Sequence, residues 1–168
     1  MSLSSMNSDD SRSFDHELAG KYLTFSLGEE HYGLPIKPIN DIIELQDYTE
    51  IPQTADYVRG VINLRGTVIP VIDLREKFGL PTTEYDEKTC IVVVNIENIQ
   101  TGLIIDRVEE VREFSDKEID PSPKMSSEIQ VEFIAGIGKK EEEVYILLDI
   151  DRIIKKEELD EIKENIDD

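Results

Sequence analysis

Tryptophan is missing from this 168-residue chain, and cysteine occurs once, at Cys90. A lone cysteine excludes an internal disulfide and a cysteine-based zinc site, and an unbridged thiol fits a reducing compartment. Histidine occurs twice, at His16 and His31. Neither has a nucleophile or a metal-spaced ligand nearby in sequence, so both read as solvated, His16 in a tail and His31 in a hairpin loop. Basic residues are scarce: 18 Lys and Arg stand against 38 Asp and Glu, for a formal net charge of −20. Such a surface repels phosphate backbones and anionic lipid, which argues against nucleic acid and membrane as direct partners. It serves solubility and steers toward a basic partner, an effect that fades with salt. No stretch approaches the roughly 20 apolar residues that cross a bilayer. The Ser- and Asp-rich opening lacks the apolar run of a signal peptide, so the expectation is a cytoplasmic protein.

Catalytic signatures are missing as well. There is no Gly-x-Ser-x-Gly, His-Glu-x-x-His, Walker or Rossmann pattern. Gly136-Ile137-Gly138-Lys139-Lys140 has neither the full glycine spacing nor the following Ser or Thr of a phosphate loop, and Glu141-Glu142-Glu143 would repel phosphate, so it reads as a hairpin turn. Carboxylates are abundant, and spacing singles out no acid–base pair. Asp73 and Asp149 each follow a strand-like run in a matching Ile/Leu-Asp-Leu/Ile context, which favours a strand-end cap or turn. A hydrolase using paired carboxylates remains a rival and needs both in one cleft. Cys90, beside Ile91 and Val92, reads as a small buried hydrophobe. A Pro-rich-peptide module is disfavoured, because that recognition uses an aromatic-lined groove and aromatics are only 7% of the chain.

What the chain does contain is a series of short β-branched runs. Tyr22 to Leu27, Val68 to Ile72, Cys90 to Val94 and Val144 to Leu148 are strand-like in length and composition. Strands spaced in this way predict barrels or a sandwich. The sequence also matches itself. Tyr32 to Ile42 lies over Thr101 to Val111, and Tyr22 to Leu27 over Ile91 to Ile96; Asp56 to Val61 matches Glu132 to Ile137, and Ile72 to Leu74 matches Leu148 to Ile150. This pattern predicts an all-β protein of two homologous barrel subdomains, at 20–86 and 87–154. Residues 1–19 read as a disordered tail. Residues 155–168 read as an amphipathic C-terminal helix, since Leu159, Ile162 and Ile166 recur at helical spacing. Gly60 and Gly136 fall inside strand-like runs, where glycine marks a bulge or close backbone approach. Pro35, Pro38 and Pro70 cannot donate to a ladder, so their strands are expected to lie at an edge or to begin there.

One segment stands apart. Arg59-Gly60-Val61-Ile62-Asn63-Leu64-Arg65-Gly66 places Asn63 and Arg65 at a turn between two apolar strands. The second half keeps the glycine but lacks the Asn-Leu-Arg-Gly element, so an ordinary hairpin and a binding element both remain open.

Together with Phe25-Ser26-Leu27-Gly28, Tyr32-Gly33-Leu34 and Val68-Ile69-Pro70-Val71-Ile72-Asp73-Leu74-Arg75-Glu76-Lys77-Phe78, that segment resembles the CheW family of bacterial chemotaxis coupling proteins, from about Tyr22 to Ile154. The resemblance implies two five-stranded SH3-like barrels sharing a core. It also implies an adaptor with no activity and no cofactor, metal or small-molecule substrate of its own. Its partners would be the cytoplasmic tip of a chemoreceptor (a methyl-accepting chemotaxis protein) and the regulatory domain of the histidine kinase CheA, in receptor arrays at the membrane. By position, receptor contacts are expected at Ile39, Gly60, Asn63, Arg65, Val68, Ile91 and Val108, and kinase contacts at Asp41, Ile42 and Phe133. Nearest in kind are a module detached from a larger kinase and an adaptor for another signalling array.

Overall fold

Two-residue polar turns between apolar runs fold this chain into successive hairpins. The computed structural model describes residues 18–52, 54–121 and 132–167. Strand β1 (Gly20–Leu27) turns through Gly28-Glu29 into β2 (Glu30–Pro35), followed by β3 (Ile39–Glu44), β4 (Val58–Leu64) and β5 (Thr67–Asp73). After the one-turn helix α1 (Leu74–Lys77) come β6 (Cys90–Ile96), β7 (Ile99–Ile105), β8 (Arg107–Phe114) and the short β9 (Ile119–Asp120). Then β10 (Ile134–Lys140), β11 (Glu143–Leu148), the short helix α2 (Ile150–Ile153) and α3 (Lys156–Asp167) complete the described chain. Three hairpins turn on pairs of residues with positive φ: Arg65 (53°) and Gly66 (90°), Glu97 (51°) and Asn98 (68°), and Glu141 (54°) and Glu142 (70°). This mirror-image turn matches the right-handed twist of the flanking strands.

The strands form a six-stranded sheet, β8-β1-β2-β11-β10-β9, and a five-stranded sheet, β3-β6-β7-β5-β4. The self-match of the sequence appears directly in this pairing. β2 runs parallel to β11 with Gly33 opposite Leu147, and β5 runs parallel to β7 with Val71 opposite Gly102. Bulges fall at matched positions too, between Val58 and Gly60 and between Ile134 and Gly136. The halves 20–86 and 87–154, however, do not coincide with the sheets. Each sheet takes one hairpin from one half (β1-β2 or β6-β7) and three or four strands from the other. Turn chemistry fixes which strands are neighbours within a hairpin, but not which sheet the hairpin joins.

Three apolar clusters follow from the exchange. Ile62, Ile69, Val71, Ile91, Val93 and Ile104 fill the five-stranded sheet, and Tyr22, Phe114, Ile119, Tyr145 and Leu147 fill the six-stranded one. The third and largest, including Leu23, Phe25, Leu34, Ile72, Val92, Val94, Leu103 and Leu148, joins both. A sheet residue has one neighbour set on each face, so the alternate positions of one strand serve two cores. Helix α3 lays Leu159 and Ile162 on the shared cluster. The Tyr57 hydroxyl donates to Glu158 Oε2 at 2.5 Å, and Lys77 Nζ lies 3.6 Å from the same oxygen.

Several details correct the sequence reading. Pro70 lies in β5, which is paired on both sides. Its partner Val61 sends both its N–H and its C=O to Thr49, each at 2.9 Å, so Pro70 is not asked to donate there, and the ladder to β7 begins only at Val71. Gly136 to Lys140 is strand, with the turn at Glu141-Glu142. His31 is in β2 rather than a loop, with Nδ1 2.9 Å from Glu109 Oε2 and Nε2 2.8 Å from Glu143 Oε1. His16 and nearly all of the expected tail 1–19 lie outside the described residues.

Candidate docking site

The β4–β5 hairpin tip is built by its own side chains. Asn63 Oδ1 accepts from the Gly66 N–H at 2.8 Å, which closes the turn and leaves Arg65 at the apex. Arg65 is 72% exposed in its side chain, and its Nη2 meets Asp41 Oδ2 at 2.6 Å. The Arg65 hydrogen bond, and then the Ile42 N–H that also donates to Asp41, hold this carboxyl below its ordinary range. Residues expected to serve different partners are thus in contact: Asp41 comes from edge strand β3 and Arg65 from a hairpin on the opposite edge of the same sheet.

Four large apolar side chains are exposed among the described residues: Ile42 (44%), Val68 (44%), Val111 (52%) and Val144 (53%). They are two pairs of repeat mates, Ile42 with Val111 and Val68 with Val144. Hydrophobic side chains surface at the same two places in both halves, beside an edge-strand bulge and beside a hairpin tip. The tips carry opposite charge: Arg65 reaches Asp41, whereas Glu141 receives Arg112 Nη1 at 3.2 Å.

Ile39 and Val108, also repeat mates, are half-buried and pack against the shared core. Phe133 stands apart from the hairpin tip, stacked on Phe78 with ring centroids 4.2 Å apart, in an open pocket of about 360 Å³ with Lys77, Arg152 and Glu158. Two expected contact residues are interior. Ile91 is fully buried within the five-stranded sheet, so no partner reaches its side chain in this conformation. Gly60 is buried at its bulge, where an added Cβ would sit 2.2 Å from the Thr49 carbonyl oxygen.

Asp73 and Asp149 are N-caps: Asp73 Oδ1 accepts from the Glu76 N–H at 3.2 Å and Asp149 Oδ1 from the Asp151 N–H at 3.1 Å. Asp73 also accepts from the Tyr85 hydroxyl at 2.6 Å and meets Arg59 Nη2 at 3.3 Å. Their repeat-matched places assign one to each half's strand-to-helix junction, as capping requires. Among the described residues no group of His, Cys, Asp or Glu has the arrangement of a metal site, and no helix is long and apolar enough to cross a membrane.

Two interleaved β-sheets with an exposed, charged hairpin tip define a β-scaffold whose outward features suit docking. The chain belongs to the CheW-like family, whose domain description matches residues 21–158. It is 36% identical to a chemotaxis protein CheW of Helicobacter pylori over 88% of each chain. It is 35% identical to one of Klebsiella aerogenes over 83% of this chain and 84% of the relative. The crystal structure of the scaffolding protein TtCheW from Thermoanaerobacter tengcongensis superposes with a TM-score of 0.76 at 34% identity, covering 82% of this chain and 93% of that one. The protein is thus a member of a chemotaxis scaffold family.

Proposed function

We propose that this protein couples the cytoplasmic tips of chemoreceptors to the histidine kinase CheA, as a cytoplasmic adaptor recruited to membrane-associated arrays. It has no catalytic activity of its own and uses no cofactor. Each sheet acts as one SH3-like barrel. Thr49 bridging to Val61 and β9 pairing with β10 support this reading, since both carry the chain from one edge of a sheet toward the other.

The observation that carries the proposal is the exposed Arg65 at a hairpin apex with Val68 beside it. A guanidinium there offers a planar fork to a receptor carboxylate or to helix-end carbonyls. Ile39 and Val108, on the rim of the shared core, supply the apolar bed for a helical hairpin. Asn63 shapes the apex; Gly60 and Ile91 act beneath it. Kinase contacts fall to Asp41 and Ile42 on edge strand β3, and a second to Phe133. A buried anchor of this kind commonly contributes about 2 kcal/mol or more to an interface. Arg65→Ala is therefore expected to fold normally yet co-sediment about tenfold less with receptor-containing membranes. Undiminished co-sedimentation removes Arg65 from the receptor site.

A further inference from the structure

In a regular strand, residues three apart face opposite sides of the sheet. Val108 and Val111 nevertheless face the same side, because β8 pairs Val108 with Phe25 and Val111 with Leu23, leaving Glu109 and Glu110 opposite the single residue Thr24. Phe25 and Leu23 both belong to the shared core, so this bulge turns Val108 and Val111 together toward the inter-sheet face.

A bulge leaves ladder groups without their usual partners. Here Thr24, a fully buried polar residue, supplies them. Its hydroxyl donates to the Glu110 carbonyl at 2.6 Å and accepts from the Glu110 N–H at 3.2 Å. On the same face of the sheet, where its register partner Ser26 stands two residues from Thr24, the partly exposed His31 meets the carboxylate of Glu109, the other bulged residue, at 2.9 Å and that of Glu143 on β11 at 2.8 Å. His31 stands on β2, one strand beyond β1, so the bulged strand is tied across the sheet. Neither Thr24 nor His31 is among the docking residues above.

We propose that Thr24 and His31 are positioning residues for the receptor-facing rim: on one face of the sheet Thr24 sets the β8 bulge from its buried part, His31 holds it from its exposed end, and together they orient Val108 and Val111. The inference rests on the coupling reading for the role of Val108, but not for the setting of the bulge. Buried polar groups left unpaired are costly, so removing the hydroxyl alone loosens the strand.

The test uses the full-length protein. Thr24→Val keeps the side-chain shape and removes the hydroxyl. The Glu110 amide is then expected to exchange about tenfold faster, and co-sedimentation with receptor-containing membranes to weaken about tenfold, while kinase binding stays within about twofold. Thr24→Ser should restore both losses. His31→Ala, a change at the sheet surface, should speed Glu110 exchange and weaken receptor binding in the same direction, and it serves alone if Thr24→Val does not fold. Unchanged Glu110 exchange in the folded variants, failure of Thr24→Ser to rescue, or an equal loss of kinase binding overturns the inference. The coupling reading fails separately if Val108→Ala binds receptor as the unaltered protein does while Thr24→Val still accelerates Glu110 exchange.

Discussion

Asp41 and Arg65 form an ion pair, 2.6 Å between Oδ2 and Nη2, that ties edge strand β3 to the apex of the β4–β5 hairpin. The proposed receptor and kinase faces therefore touch through one charge pair. Asp41→Lys places a second cation beside Arg65. It is expected to weaken receptor binding as well as kinase binding, and in an Arg65→Ala background, where the pair is already gone, Asp41→Lys should cause little further loss of receptor binding. Isothermal titration of single and double variants against each partner gives the coupling. Fully additive losses would show that the pair does not link the faces.

The same pair has a defined pH response. The Asp41 pKa is lowered in the folded chain, first by the Arg65 hydrogen bond and then by the Ile42 N–H. A carboxylate of this kind contributes stability above its unfolded pKa and loses it as pH falls through the folded value. The pair is thus expected to stay intact from neutral pH to below the ordinary aspartate midpoint, and to open as pH falls through the lowered folded value. Carboxyl NMR should place the Asp41 midpoint below 3.8, and Arg65→Ala should move it upward.

Gly60 has φ of +154°, and an added Cβ would meet backbone atoms of Thr49 at 2.2 and 2.7 Å. Backbone cannot swing aside as a side chain does, so Gly60→Ala should lower the urea midpoint by the equivalent of about 3 kcal/mol or more. Gly66 has φ of +90° and open space around it. Gly66→Ala should cost only the left-handed strain, about 1 kcal/mol.

The β10–β11 turn carries Glu141 and Glu142 at φ of 54° and 70°, a conformation that suits Asn-Gly. Glu142→Gly is expected to stabilise the fold by about 0.5–1 kcal/mol, the relief of backbone strain exceeding the added chain entropy. A thermal melt that shifts down instead would mean that the turn is held by more than its backbone geometry.

Leu159 of α3 is fully buried on the shared core. Leu159→Ala should cost about 2–5 kcal/mol. Tyr57→Phe, which removes the hydroxyl donated to the partly exposed Glu158, should cost about 1 kcal/mol. Denaturant titration followed by circular dichroism distinguishes the two. Equal losses would show that the polar latch contributes to holding α3 as much as its apolar stripe does.

Much of the candidate site was legible because its signals are local. Asn63, Arg65 and Gly66 announce a turn by residue type, and the turn is present, with Arg65 and Gly66 at positive φ and Asn63 accepting the closing bond. Asp73 and Asp149 were readable as strand-end caps or turns from their matching Ile/Leu-Asp-Leu/Ile contexts in the two halves; the short helices they cap were not. Ile91 was not readable as interior, since a residue in an all-apolar strand such as Cys90 to Val94 gives no alternation to say which face meets which core. Thr24 had a faint signal, a hydroxyl within an otherwise apolar buried run of β1, but its partner lies 86 residues away.

By itself, the sequence determined the β-branched strands, the hairpin turns, the duplicated pattern and the helix after Ile154, because each depends on periodicity or turn chemistry within about ten residues. The tertiary structure alone decided that β1-β2 and β6-β7 pair into the opposite half's strands, that β2 lies parallel to β11 and β5 to β7, and that Arg65 meets Asp41. Those pairings join residues far apart in the chain, and what selects them is the burial of two faces of each sheet at once, a condition no single segment carries.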